Sequence, residues 1–260
     1  MNNPWEIYDR LIDTIQPAAK ATNCLVSQWT VVDCEEEGMG LAMTFRGTAH
    51  DDSPLSGLAG RPLRELAANL KSWDLRIASV GMAAVNAYLN APDRVQSWVG
   101  RPLQDLPSSG VFVSTLDEIA GKKVAVIGHF PGLEAAQSRC DLAILERNPS
   151  EGDLPDFAAE YVLPDRDYVF ITGTALTNKT LPRLLELSQN AFVALVGPSV
   201  PLAPWWFDYG VDMLAGTVVT DRQRVWRCAL EGAHKGIFAE GALMVDIRRG
   251  DLAVAAPRES

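Results

Sequence analysis

Imidazole, paired thiols, clustered positive charge and long apolar runs are all scarce in this chain, and each shortage removes a class of function. The only histidines are His50, His129 and His234, so a dense imidazole cluster is not on offer. Cys24, Cys34, Cys140 and Cys228 form no C-x-x-C pair, which argues against a disulfide framework and a zinc knuckle. No apolar run reaches the roughly 18 residues that span a bilayer. The opening MNNPWEIYDRLID lacks the basic and apolar regions of a secretion signal, so the cytoplasm is the expected compartment. Lys and Arg fall short of Asp and Glu by enough to leave a formal charge of −10. That balance argues against nucleic acid as a partner, because phosphate neutralisation needs clustered cations. Surplus acid suits a cationic ligand, or simply keeps a surface soluble. A nucleophile elbow, a P-loop and an H-E-x-x-H pair are also missing, and so are repeats.

What is present is ordinary globular composition, 47% hydrophobic and 22% charged, over 260 residues that leave room for two domains. The most informative stretch is Lys122 to Pro149. Val124 to Ile127 is a short unbroken apolar run that suits a strand buried on both faces. Gly128 ends it, and a helical segment opens near Leu133. Leu142 to Leu145 is a second apolar run, closed by Glu146. Strand, glycine turn, helix, strand and acid is how a dinucleotide-binding unit begins, with backbone N–H groups of the turn aimed at an anion. The turn departs from the G-x-G-x-x-G pattern, since Phe130 stands where a pyrophosphate wants glycine. Glu146 also follows Gly128 by 18 positions, against about 20 for a ribose-binding acid.

Upstream, Ile7, Leu11, Ile12 and Ile15 have helical spacing, and Pro17 should end that helix. Cys24 to Val32 and Gly40 to Phe45 read as strands about an acidic hairpin turn, and Arg46 to Gly60 as loop. Arg61 to Leu70 is a helix with proline near its start. A second helix spans Trp73 to Leu89, thinned by Gly81, Ala83, Ala84 and Ala87 for close packing. Asn86 on that helix either bonds within the core or reaches a ligand. Pro92 to Pro107 turns polar, which ends a helix–hairpin–helix module, and Val111 to Val113 is a candidate short strand. Downstream, strands are expected near Glu160 to Leu163, at Tyr168 to Thr172, at Phe192 to Val196 and at Val211 to Ala215. Helices are expected after Thr180 and from Thr217 to Leu230. The alternation predicts an α/β fold, a parallel sheet covered on both faces, following a small α+β module. The expected domains are 1–107 and 108–260.

Ligands of open parallel sheets bind beyond the carboxyl ends of the strands. That rule selects Gly128, His129, Glu146, Gly173, Thr174, Thr177, Asn178, Gly197, Pro198 and Ser199, with Lys179 as a nearby cation. His129 is a metal ligand, a general base or a loop-bonding histidine. Glu146 contributes to a metal site, accepts from a ribose, or pairs with Arg147. Thr174, Thr177 and Asn178 donate to an anion or cap the next helix. Gly197 and Ser199 belong to an anion cradle or a plain turn. Trp205 and Trp206 pack between domains or stack on a ligand. Asp208 and Asp212, four apart, are weak evidence for a metal.

The motifs VAVIGHFPG, LAILERNP, GDLPDFAAEYVLP, ITGTALTNKTL, VGPSVPL and FDYGVDMLAG, preceded by VGMAAVNA, fall in order along nearly the whole chain. Together they resemble the heavy-metal chelation family of bacteria and archaea. The resemblance implies a domain similar to the N-terminal domain of enolase, followed by a Rossmann-like domain. It further implies metal handling, with a transition-metal ion or metal chelate as the bound species, and it transfers no catalytic residue. The expected activity is therefore binding of a metal ion, a metal chelate or a small anionic ligand in a cleft between domains. The alternative is an enzyme acting on a small nucleotide-like or anionic substrate. A homodimer formed through an apolar sheet flank is compatible with either.

Overall fold

The structure is a computed structural model that describes residues 3–45, 55–108, 110–233 and 236–253. The first part comprises α1 (Glu6–Thr14), β1 (Asn23–Val26), β2 (Trp29–Cys34), β3 (Gly38–Met43), α2 (Leu63–Ala68), α3 (Leu75–Leu89) and α4 (Pro92–Val99). The expected run from Cys24 to Val32 is two strands, because the chain reverses between Val26 and Trp29 and pairs β1 antiparallel with β2. The acidic hairpin is present, with Cys34 opposite Gly38. Most of the expected loop, residues 46–54, lies outside the described residues. The polar stretch after Pro92 holds a helix, α4, with proline in its first turn and left-handed Gly100 (φ 67°) as its C-terminal cap.

The second part comprises α5 (Val111–Ser114), β4 (Lys123–Ile127), α6 (Leu133–Gln137), β5 (Asp141–Glu146), β6 (Leu154–Pro155), α7 (Ala159–Val162), β7 (Tyr168–Thr172), α8 (Thr174–Thr177), α9 (Leu181–Leu187), β8 (Phe192–Val196), β9 (Met213–Val219), α10 (Arg222–Glu231) and β10 (Ala242–Arg248). Val111 to Val113 is helical rather than extended, and so is Glu160 to Leu163. The strand pairing beside β5 is made instead by Leu154 and Pro155. Val218 belongs to β9, which runs on to Val219 before Asp221 caps α10 through Arg224 N.

The large sheet has the order β10-β9-β8-β7-β4-β5-β6, parallel except for β10 at one edge. From β4 onward its parallel strands follow the 3-2-1-4-5-6 order of doubly wound sheets, and the order reverses between β4 and β7. Strand alternation sends Ala125, Val169, Ile171, Val193 and Leu195 into one core with α1, α2, α3 and α9. Val124, Val126, Phe170, Ala194 and Val196 face the other way, onto Val111, Phe112, Leu133 and Ala136. The small sheet is sandwiched too. Val32 and Ala42 face α3, while Val31, Met39 and Leu41 pack on Val225, Cys228 and Ala229 of α10.

Helix α3 lies at the centre of all this and is buried at every position from Ala78 to Leu89. Such a helix must be approached closely from several sides, and glycine supplies the room. A Cβ on Gly38 would sit 2.7 Å from the Ala87 carbonyl oxygen, and one on Gly40 would sit 2.7 Å from the Asn86 carbonyl carbon. A Cβ on Gly81 would sit 2.7 Å from Leu70 Cα. Two asparagines, one turn apart, tie the helix to the large sheet. Asn86 donates to Leu41 O at 2.8 Å and Pro198 O at 3.4 Å. Asn90 donates to Val200 O and Thr217 O at 2.9 and 3.0 Å and accepts from Leu202 N at 2.7 Å.

Two stability predictions follow from that helix. Gly81→Ala gains about 1 kcal/mol of helix propensity, but its methyl meets backbone that cannot rotate away, an overpacking cost of up to about 3 kcal/mol or more. Urea denaturation should therefore show net destabilisation, and a stabilised variant would contradict the packing described. Asn90→Ala strands two carbonyls and one amide, and should cost about 2–4 kcal/mol in the same experiment.

Candidate functional site

A cleft of about 1050 Å³ opens at the carboxyl rim of the large sheet, beside the point where the strand order reverses. Its floor comes from the ends of three strands: Ile127, Gly128 and His129 after β4, Leu145 to Arg147 at β5, and Thr172 and Thr174 at β7. One wall is the loop into α9, with Asn178, Lys179 and Thr180, and then Arg183. Asp156, Phe157 and Glu160 form another, and Met43 to Phe45 with Leu75 reach in from the first part of the chain. Cations and carboxylates therefore face one another across it.

Two carboxylates order the β4 turn. Glu146 uses both oxygens on backbone, accepting from His129 N and Arg147 N at 3.0 Å each. Placed at the end of the second strand, where a ribose would be met, it instead pins the first turn in place. Asp153 lies behind His129 with its side chain only 4% exposed. Its oxygens are 2.9 and 3.1 Å from His129 Nε2, and Oδ2 also accepts from Ser150 N at 2.8 Å. With the proton on Nε2, the ring donates to Asp153 and carries its lone pair on Nδ1. This is the orientation that a carboxylate imposes on metal-binding histidines.

The glycine turn itself differs from a pyrophosphate seat. Gly128 (φ 106°) and Gly197 (φ 109°) are left-handed, as strand-to-loop reversals often require. Their amides extend the sheet ladder, donating to Leu145 O at 3.0 Å and Ala215 O at 2.8 Å. The Phe130 ring lies against both glycines: Cβ atoms built on them would be 3.4 and 3.5 Å from its Cε2 and Cε1. That ring also packs on Phe112, 5.7 Å between centroids.

On the far wall, Asn178 Oδ1 accepts from Thr180 N at 3.1 Å and Thr180 Oγ1 at 2.7 Å, closing the entry to α9. Thr174 bonds Thr172 at 3.0 Å between hydroxyls. Arg183 holds Glu160 through Nε and a terminal nitrogen, at 2.8 and 2.6 Å, and Glu186 at 3.1 Å. The hydrogen bond to Arg183 holds the Glu160 carboxyl below its ordinary range. Lys179 is half-buried, donates to Thr177 O at 2.8 Å and to Ser72 O, and has its pKa brought down to about 8 by desolvation.

The rim thus gathers Gly128, His129, Glu146, Thr174 and Asn178 into one cleft. Thr177, Gly197, Ser199 and Asn86 are not among the residues that line it. Ser199 Oγ accepts from Met43 N at 2.9 Å and joins the two sheets. Thr177 Oγ1 and Asn86 Oδ1 are buried without a protein partner. Trp206 is fully buried and donates to Pro201 O at 2.9 Å, while Arg10 lies over Trp205 at 4.7 Å. Asp208 pairs with Arg10 at 3.7 Å, and Asp212 accepts from Val193 N at 2.8 Å. Asp153 escaped notice in the sequence because it sits in a loop of turn-forming residues. Its one signal is the short pairing segment that directly follows it.

Among the described residues no three His, Cys, Asp or Glu side chains gather in a way that could hold a metal ion. No helix among them is long and apolar enough to cross a membrane.

Comparison with known proteins places this architecture. Residues 111–246 and 8–89 match two family models that share the description "Putative heavy-metal chelation". A crystal structure of a DUF364-family protein of unknown function from Desulfitobacterium hafniense DCB-2 superposes with a TM-score of 0.84. It is 38% identical and covers 95% of this chain and 99% of its own. A second from Pyrococcus horikoshii gives a TM-score of 0.74 at 19% identity, covering 94% and 99%, and carries the fold alone. An uncharacterized protein of Methanocaldococcus jannaschii is 29% identical over 199 residues, 72% of each chain. With over half its length in one family model and a matching structure across nearly all of it, the chain belongs to the DUF364 family, whose model carries that description.

Proposed function

We propose that this protein binds a metal chelate, an anionic organic ligand that carries its own metal, in the rim cleft. The observation that carries the reading is the Asp153–His129 pair beside a cleft that offers few other metal donors. A bare ion needs several ligands from the protein. A chelated ion brings most of its own and needs one more at an open position, which the Nδ1 lone pair of His129 supplies. Arg147 and Arg183 then meet the carboxylates of the chelator. On this reading residues 1–107 form one domain and 108–260 a Rossmann-like second domain. The first contributes Met43 to Phe45 and Leu75 to the shared cleft. The working compartment is the cytoplasm.

The strand order favours one second reading, an enzyme acting on a nucleotide-like or anionic substrate at the switch point. Against it, Glu146 is committed to backbone amides and Phe130 lies on the glycines. A thermal-shift panel of nucleotides and organic acids separates the two, since a ligand of the folded state raises the melting temperature.

Calorimetry with nickel or cobalt, free and as the citrate or nitrilotriacetate complex, tests the main reading. The complexes should saturate the protein, and the free ions should not. His129→Ala should weaken chelate binding by about tenfold or more and leave the melting temperature nearly unchanged, because the ring is exposed. Asp153→Asn should weaken it by a similar factor through loss of ring orientation. Binding of free ions in preference to their complexes, or indifference to His129→Ala, overturns the proposal.

A further inference from the structure

Lys179 is placed in a way that chelate binding does not use. It is the only non-glycine residue among those described with positive φ, at 68°. Left-handed backbone is disfavoured for a side chain with a Cβ, and such positions gather where the side chain has a task. It follows α8, where glycine or asparagine is the usual occupant. Its ammonium group has no carboxylate within ion-pair distance among the described residues. It donates instead to two backbone carbonyls, Thr177 O at 2.8 Å and Ser72 O, and lies 5.9 Å from the Trp73 ring centroid. Thr177 is wholly buried, and Lys179 itself lines the cleft beside Asn178, Thr180 and Arg183.

An amine so held has a defined geometry. The free base has two N–H bonds and one lone pair. The two carbonyls take the two N–H bonds, so the lone pair is confined to the remaining tetrahedral position. Desolvation disfavours the charged form and brings the pKa down to about 8, with Asp74 as the charged neighbour pulling the other way. Lysines in this state are the ones that attack carbonyl carbon.

We infer that Lys179 is a covalent anchor for a carbonyl-bearing anionic ligand of the 2-oxo acid class, held as an imine in the rim cleft. The neutral Nζ adds its lone pair to the carbonyl carbon, forming the C–N bond, and its proton passes to the carbonyl oxygen. Loss of water then breaks the C–O bond and leaves the imine. No oxidant or reductant is consumed, and water returning reverses the step. Arg183 and Arg147 supply positive charge in the same cleft for the ligand's carboxylate. The inference rests on the rim cleft being the ligand site and not on any metal.

The full chain is incubated with glyoxylate and cyanoborohydride, without metal, and the reduced adduct is located by peptide mass mapping. Lys179 should be labelled about tenfold faster than exposed Lys122 at pH 8, since two carbonyls orient its lone pair and desolvation favours its free base. Its rate should saturate with glyoxylate concentration and level off above pH 8, whereas that of Lys122 stays linear in glyoxylate. Lys179→Arg keeps a cation at the wall and should leave the melting temperature close to wild type while abolishing the saturable component. Labelling of Lys179 no faster than of Lys122, or without saturation, overturns the anchor. Chelate calorimetry contains no carbonyl reagent, so each proposal can fail without the other.

Discussion

A helix with no wet side governs this molecule. Burial of α3 from Ala78 to Leu89 removes water from its whole circumference, which is tolerable only for a helix that is largely apolar and most of whose polar groups are answered. The answer comes at two levels. Missing side chains at Gly38, Gly40 and Gly81 let the small sheet and the segment around Leu70 approach to backbone distance. Asn86 and Asn90 then spend their amides on carbonyls of the loop after β8. The small sheet, the helix and the large sheet are therefore one packed body, and the rim cleft inherits its shape from that arrangement. Met43 ends the small sheet with its amide on Ser199, which carries Thr44 and Phe45 to the mouth of the cleft.

Within the cleft, carboxylates act as carpenters more than as ligands. Glu146 and Asp153 accept backbone amides and turn them inward on one another, and this fixes where the His129 ring stands. A histidine so exposed would otherwise sample several rotamers, and the entropy of ordering it has already been met by the loop. Across the gap, Arg183 is clamped by Glu160 and Glu186 and Arg147 by Asp156. Any anion that reached these guanidinium groups would have to compete with the carboxylates that already hold them.

Much of this was legible in the sequence, and the misses have physical causes. β7 and β8 were readable to the residue because each apolar run follows a polar segment, ending in Asp167 or holding Gln189 and Asn190, and stops at a glycine, Gly173 or Gly197. The thinness of α3 was readable from its small residues. Val111 to Val113 has strand composition, but Val111 and Phe112 are buried in one core cluster with Leu133 and Ala136, and packing overrode propensity. The turn between β1 and β2 lacks glycine and proline, so Ser27 and Gln28 left no mark. Strand ends gave Gly128, His129, Glu146, Thr174 and Asn178 by a geometric rule alone. They could not give Asp153, whose importance lies in what stands in front of it. Nor could they separate Asn178, which faces the cleft, from Thr177, which is turned inward by one residue of helix.

The benzyl side chain of Phe130 has a wider consequence. Doubly wound sheets commonly welcome a diphosphate across the crest of the first turn, and that crest here is greased on the side toward Phe112. Approach is thereby made one-handed. The reversal carries carbon on one flank, at Phe130 and Phe112, and on the other the cleft that Met43 to Phe45 help to line.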